Sequence, residues 1–272
     1  MAERQVLKLK ARAKLNLFLG VTGKVGEKHS LDTLIVPVEL YDDVYMEKAD
    51  GVEISYDGKP SPYETDTVKK AVNLLKGRYF DGGVRINVIK RIPERAGVGG
   101  SSADAAAVVR GLEKLYGFTA DAAVIAEIGS DVYPMYLDCP CRLKGVGKEV
   151  EKVAIPDGMK FVLVETGKGV STKLCFDLYD SVGGENPDGD EIMKKLSARE
   201  YFTPINALYD GAVKSVPEIK DAADALSKAG FRCGMTGSGS GTFGYEYDEK
   251  VFEEKLSALK KSVGKKYRIT TF

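Results

Sequence analysis

A run of glycines that passes straight into a helix constrains this chain more than any other feature. It reads Pro93-Glu94-Arg95-Ala96-Gly97-Val98-Gly99-Gly100-Ser101-Ser102-Ala103-Asp104. Residues 103–112 are rich in alanine and apolar side chains and lack proline, which predicts a helix with Ser101 or Ser102 at its N-cap. Upstream, Val84, Ile86 and Val88 alternate with polar residues, the mark of a strand. Strand, glycine loop and helix start together bare a row of backbone N–H groups without intrahelical partners, and the helix dipole adds positive potential there. Glycine lets that backbone approach an anion closely, and a curved N–H surface forms a nest for phosphate. The segment is read as a nucleoside-triphosphate cradle. A flexible strand-to-helix turn with no ligand is the competing reading, and composition alone does not separate the two. No Gly-Lys-Ser/Thr ending marks a P-loop, and no acidic residue follows at Rossmann spacing.

The 272 residues suffice for one large domain or two intimate ones. Lys+Arg is 40 and Asp+Glu is 40, so no broad basic field points to nucleic acid. Apolar runs such as residues 15–21 are too short to cross a bilayer, and the first residues lead into a strand pattern rather than a signal peptide. A soluble, cytoplasmic protein without a membrane partner is expected. Cys139-Pro140-Cys141 has the wrong spacing for a zinc ribbon, so those cysteines, with Cys175 and Cys233, read as small buried thiols.

Hydrophobic patterning predicts strands near residues 6–9, 15–19, 34–40, 44–47, 52–56 and 84–88. A helix is expected over 67–76, with Val68, Ala71, Val72 and Leu75 on one face, and two more between the glycine loop and Ile128. Residues 129–140 read as a loop, followed by short strands at 141–143 and 150–153. The second half opens with a strand at 159–164 and continues with helices at 172–179, 192–196, 207–213 and 219–229. A hairpin at 231–235 and 241–245, a helix at 251–261 and a strand at 267–271 close the chain. Strands then helices within each half predict an α+β fold, with a break near Pro156-Asp157-Gly158.

Three separated segments gain meaning in combination. They are Ala13-Lys14-Leu15-Asn16-Leu17-Phe18-Leu19 with His29-Ser30-Leu31-Asp32-Thr33-Leu34, the glycine-serine loop, and Gly234-Met235-Thr236-Gly237-Ser238-Gly239-Ser240-Gly241. In this order they resemble the GHMP kinase superfamily, and within it the branch that phosphorylates 4-diphosphocytidyl-2-C-methylerythritol in non-mevalonate isoprenoid biosynthesis. The likeness runs nearly end to end and takes in Gly129-Ser130-Asp131-Val132, Val170-Ser171-Thr172 and Asn206-Ala207-Leu208.

The resemblance implies a two-lobed α+β fold, with a mixed N-terminal lobe over residues 1–156 and a ferredoxin-like C-terminal lobe over 157–272. It implies transfer of the ATP γ-phosphoryl group to a small-molecule alcohol, with Mg2+ accompanying the nucleotide, by a monomer or homodimer. Lys14 and Asp131 fall on the catalytic pair: Asp131 takes the hydroxyl proton and Lys14 supplies the counter-charge. Nucleotide contacts fall on Asp66, Pro93, Ala96, Gly97, Val98, Gly99, Gly100, Ser101, Ser102, Ala103, Gly237, Ser238 and Gly239. Alcohol-side contacts fall on Asn16, Lys28, His29 and Thr172. No carboxylate cluster stands out as a metal cage, so no protein ligand to the metal is assigned.

Taken singly, these residues are bland. Lys14 would be a solvent-facing strand lysine, Asp131 a turn residue satisfying nearby N–H groups, and the third segment a hairpin with glycine at positive φ. The chain also departs from the family pattern. Glu27-Lys28-His29 stands where Gly-Tyr-His is usual, which removes an aromatic face, and base–aromatic stacking is worth about 1–3 kcal/mol in nucleic-acid systems. Lys28 either meets a diphosphate or faces water. Asp66 replaces an asparagine near the adenine and, when ionised, only accepts hydrogen bonds. Arg95 enters the phosphate loop, and Tyr133 precedes Pro134, where proline usually comes one residue earlier. A kinase for another small alcohol (mevalonate-like, homoserine or sugar) and a nucleotide-binding paralogue with little catalysis are the competing readings.

Overall fold

The computed structural model describes residues 6–63, 65–147 and 149–272. In chain order come β1 (Leu7–Val25), β2 (Lys28–Ala49), β3 (Glu53–Tyr56), β4 (Lys59–Pro60), α1 (Thr67–Leu75), β5 (Gly83–Ile89) and α2 (Gly100–Tyr116). Then follow α3 (Ala122–Ile128), α4 (Val132–Tyr136), β6 (Cys141–Gly145), β7 (Glu149–Lys152), β8 (Lys160–Glu165) and α5 (Thr172–Val182). The chain ends with α6 (Gly189–Ser197), α7 (Tyr209–Ser215), α8 (Glu218–Lys228), β9 (Arg232–Met235), β10 (Thr242–Glu246), α9 (Glu249–Val263) and β11 (Arg268–Thr271). The expected α+β class is what the structure has.

Contacts divide the chain into two compact units. The first takes residues up to Lys14, Pro37–Pro93 and Gly99–Cys139; the second takes Leu15–Val36, Glu94–Val98 and Pro140–Phe272. This division differs from a single break near residue 157, because β1 and β2 are each long enough to contribute to both units.

In the first unit, β4, β3, β5 and β2 lie in that order. β5 runs antiparallel to β2, with Tyr45 opposite Asn87, and parallel to β3, with Ile54 opposite Ile86. Helix α1 buries the expected face of Val68, Ala71, Val72 and Leu75. Helix α2 buries Ala103, Ala105, Ala106 and Ala107, small side chains that let it come close to β2. The approach is so tight that a Cβ on Gly111 would lie 2.2 Å from Met46 Sδ.

In the second unit, the first half of β2 pairs with β6, with Thr33 opposite Leu143, and β6 pairs with β7. A separate antiparallel sheet has the order β11-β8-β10-β9. With helices between β8 and β9 and between β10 and β11, this is the ferredoxin-like arrangement. Its core gathers Val162, Val164, Leu226, Phe231, Phe252 and Leu259 from the sheet, α8, α9 and the loop before β9.

Four local expectations are corrected. β1 is one strand of 19 residues rather than two short ones, because Ala11 and Ala13 fill inward positions that a weak strand former hides. β2 likewise runs unbroken through Asp42 and Asp43, whose buried carboxylates are satisfied: Asp42 by Lys90 and the N–H groups of Arg91 and Ile92, Asp43 by Arg91. Residues 132–136, read as loop, form α4; Pro134 sits in its first turn, where a missing N–H costs nothing. The N-cap of α2 is Gly99, not Ser101 or Ser102, and no side chain caps the helix. Its φ of 75° and ψ of 24° are left-handed values that glycine adopts freely, so the turn closes before the serines are reached.

Candidate active site

The first unit brings the expected catalytic pair to the glycine loop. Because Gly99 has no side chain, Lys14 and Met135 fill the space beside it: a Cβ there would meet Met135 Sδ at 3.0 Å and Lys14 Cγ at 3.1 Å. Lys14 Nζ lies 3.6 Å from Asp131 Oδ2, with the lysine side chain 3% exposed and the aspartate 36%. Burial lowers the Lys14 pKa from its ordinary value, and the Asp131 charge opposes that shift. Asp131 occupies the N-cap position of α4, yet its side chain makes no capping bond. Its carboxylate is therefore not consumed as a turn brace: one face meets a buried ammonium and the other is open to solvent. The first N–H groups of α2, from Gly100 to Ser102, lack intrahelical acceptors, while Ala103 N–H already bonds Gly99 O at 2.8 Å. No acidic residue in that first turn competes for an anion.

Beneath the loop, Lys90 Nζ bonds Asp42 and, at 2.7 Å, Asp104 Oδ2. Burial pushes the Asp104 carboxyl up to about 8, and its Oδ1 is buried without a hydrogen-bond partner. Asp66 has a structural task. Its Oδ1 accepts from Val68 N–H at 2.8 Å, Lys69 N–H at 3.0 Å and the Tyr56 hydroxyl at 2.9 Å, while Oδ2 accepts from Ser61 Oγ at 2.6 Å. Aspartate caps α1 here as an asparagine would.

In the second unit, the turn between β9 and β10 places Gly237 at φ 56° and Gly239 at φ 87°. It is welded to residues 94–98. Ser240 N–H donates to Arg95 O at 3.3 Å, Gly241 N–H to Ala96 O at 3.1 Å, and Thr236 Oγ1 to Gly97 O at 3.3 Å. Asn206 Nδ2 donates to Met235 O and Gly237 O, each at 2.9 Å, holding the turn from the other side. Asn16 Nδ2 donates to Thr33 Oγ1 at 2.8 Å, and Asn16 N–H to Thr236 Oγ1 at 3.0 Å, so this segment meets the same turn. Thr172 Oγ1 and Ser238 Oγ are 2.9 Å apart.

His29 is not idle. Its Nε2 lies 2.8 Å from Asp180 Oδ1, its ring stacks on Phe176 at 4.5 Å, and Tyr179 meets it edge-on at 6.4 Å. Hydrogen bonds from His29 and Lys24 hold the Asp180 carboxyl below its usual range. Phe176, Tyr179 and Asp180 escaped the sequence reading, although their i, i+3, i+4 spacing puts them on one helical face. Lys28 is exposed, while Pro93 is half-buried and Val98 buried. Among the described residues no group of three or more His, Cys, Asp or Glu could hold a metal ion.

The sequence matches the GHMP kinases N terminal domain over residues 66–138 and the GHMP kinases C terminal domain over 185–245. It is 33% identical over 273 residues to the 4-diphosphocytidyl-2-C-methyl-D-erythritol kinase of Acetivibrio thermocellus, covering 94% of this chain and 95% of that one. The enzyme of the same name from Ruegeria pomeroyi is 34% identical over 246 residues, 86% of each chain. A crystal structure of 4-(cytidine 5'-diphospho)-2C-methyl-D-erythritol kinase matches with a TM-score of 0.80 at 29% identity, covering 97% of this chain and 98% of that one. These likenesses make the chain an ATP-dependent small-molecule kinase. The chain belongs to the GHMP kinase family.

Proposed function

We propose that this kinase phosphorylates a hydroxyl of 4-diphosphocytidyl-2-C-methyl-D-erythritol, in the cytoplasm, as a step of non-mevalonate isoprenoid biosynthesis. The likeness to enzymes of that name over nearly the whole chain supports the substrate. The observation that carries it within this chain is the His29–Phe176 stack, an aromatic surface beside the histidine that position 28 lacks.

In the proposed reaction the alcohol oxygen attacks the γ-phosphorus of ATP, the bond to the β-phosphate oxygen breaks, and ADP leaves. Asp131 receives the hydroxyl proton on its open face, and the Lys14 ammonium offsets the charge growing on the transferring group. Phosphoryl transfer has a loose transition state, so alignment by this pair contributes alongside proton removal. The N–H groups of Gly100, Ser101 and Ser102 bind the phosphates, and the family resemblance assigns Gly237, Ser238 and Gly239 to the nucleotide as well. Bound together with ATP at the open start of α2, Mg2+ would supply positive charge against that of the phosphates. The family resemblance assigns Asn16 and Thr172 to the alcohol, and Asp66 serves the adenine side by fixing the start of α1.

The test is mass-spectrometric detection of product from a panel of alcohols with Mg-ATP. Phosphorylated 4-diphosphocytidyl-2-C-methyl-D-erythritol, with homoserine, mevalonate and sugars untouched, is the expected result. Phosphorylation of another alcohol alone, or of none, overturns the proposal.

A further inference from the structure

Among the described residues no hydrogen bond or ion pair uses the side chain of Arg95, and the proposed chemistry leaves the residue without a task. It adopts φ 54°, a left-handed conformation that disfavours side-chain-bearing residues and recurs at functional sites. Its stem is seated rather than loose: a Cβ on Gly169 would lie 2.4 Å from Arg95 Cβ and 2.6 Å from its Cδ, so the methylenes cross the face of that glycine. The seat is itself fixed. Ser240 Oγ donates to Lys168 O and lies 2.9 Å from Thr166 Oγ1, and Ser240 N–H holds Arg95 O. Three turns, at 94–97, 166–169 and 236–241, thus hold one arginine stem.

The exposed head is unspent. Among the described residues no hydrogen bond, ion pair or ring contact engages the Arg95 guanidinium, whereas the neighbouring cation Lys168 is neutralised by Glu218 at 2.5 Å. A strained backbone and a built seat that end in an unneutralised fork of donors point to an anion from outside the chain, and a guanidinium matches a phosphate in bidentate geometry. Arg95 stands four residues before Gly99, in the loop assigned to the nucleotide.

We propose that Arg95 is a further nucleotide-binding residue, whose guanidinium grips the phosphate chain of ATP. The inference rests on the kinase reading of the glycine loop and adds a further side-chain cation to the Lys14 ammonium and the backbone N–H groups.

The test compares binding of ATP, ADP and adenosine by calorimetry in the parent and in Arg95→Gly, Arg95→Ala and Arg95→Lys. Glycine is at ease at this φ, so Arg95→Gly keeps the loop conformation. Its thermal midpoint is expected to be no lower than the parent's, which a structural role for the side chain would not allow. The expected result is a roughly tenfold loss of ATP affinity in Arg95→Gly and Arg95→Ala, partly restored in Arg95→Lys and reduced at high salt, as befits one exposed charge-assisted contact. Adenosine affinity is expected to stay at the parent value. Unchanged ATP affinity, or an equal loss for adenosine, overturns the inference while leaving the kinase reading intact. A parent protein that binds no ATP overturns both.

Discussion

Gly97 and Gly117 form a matched pair for testing how the phosphate loop is held. Both are left-handed, at φ 70° and φ 72°. Their surroundings differ: a Cβ at Gly117 meets nothing within 4 Å, whereas one at Gly97 would lie 2.1 Å from Thr236 O and 3.0 Å from Gly239 N. Alanine at either site pays the left-handed penalty of about 1–2 kcal/mol, less about 0.4–1 kcal/mol regained from a stiffer unfolded chain. Gly117→Ala should therefore cost about 1 kcal/mol. Gly97→Ala must in addition displace backbone, because Thr236 O is fixed by the Gly239 N–H at 3.0 Å. Overpacking of this kind adds about 1–3 kcal/mol, for a total of about 2–4 kcal/mol. Urea denaturation of both variants reads the difference, and ATP titration should show weakened binding in Gly97→Ala only. Equal destabilisation of the two would refute the claim that the residue 236–241 turn holds the loop.

Three further outcomes are expected. Asp131→Asn should lower kcat by about 10²–10⁴-fold with little change in the KM for ATP; steady-state kinetics decide, and near-parental turnover removes Asp131 from catalysis. Asp66→Ala strips the α1 cap and leaves the Tyr56 and Ser61 hydroxyls without their acceptor, a loss of about 2 kcal/mol in urea, whereas Asp66→Asn should lose markedly less. Asp104, facing Lys90 and Asp42, has its carboxyl raised from 3.8 to about 8, so the folded chain keeps a proton that the unfolded chain releases. Its contribution to stability is complete below the unfolded value and is lost as pH rises through about 8; Asp104→Asn should flatten urea midpoints compared between about pH 5 and pH 9.

Local periodicity made much of the fold legible. The α1 face, the alanine-rich α2 and the β9–β10 hairpin all announce themselves within a dozen residues. What stayed hidden depends on contacts distant in sequence. Ala11 and Ala13 are strand residues only because a core receives them, and Asp42-Asp43 reads as a turn until Lys90 and Arg91 arrive to pair it. Lys14 and Asp131 are each ordinary alone; resemblance singled them out, and tertiary structure sets them 3.6 Å apart. His29 shows the limit most clearly, since its aromatic and acidic neighbours come from a helix about 150 positions later.

The shuttling of the backbone between its two compact bodies has a consequence for anyone wishing to dissect them. The path crosses after Lys14, Val36, Pro93, Val98 and Cys139, so neither body is a contiguous stretch of polypeptide. No single scission yields either one whole: a fragment ending at 156 would carry the early segments of the second body without the sheet of β8 to β11. Expression of either half alone should give aggregating material, and a circularly permuted enzyme would be the better instrument for asking which body consolidates first.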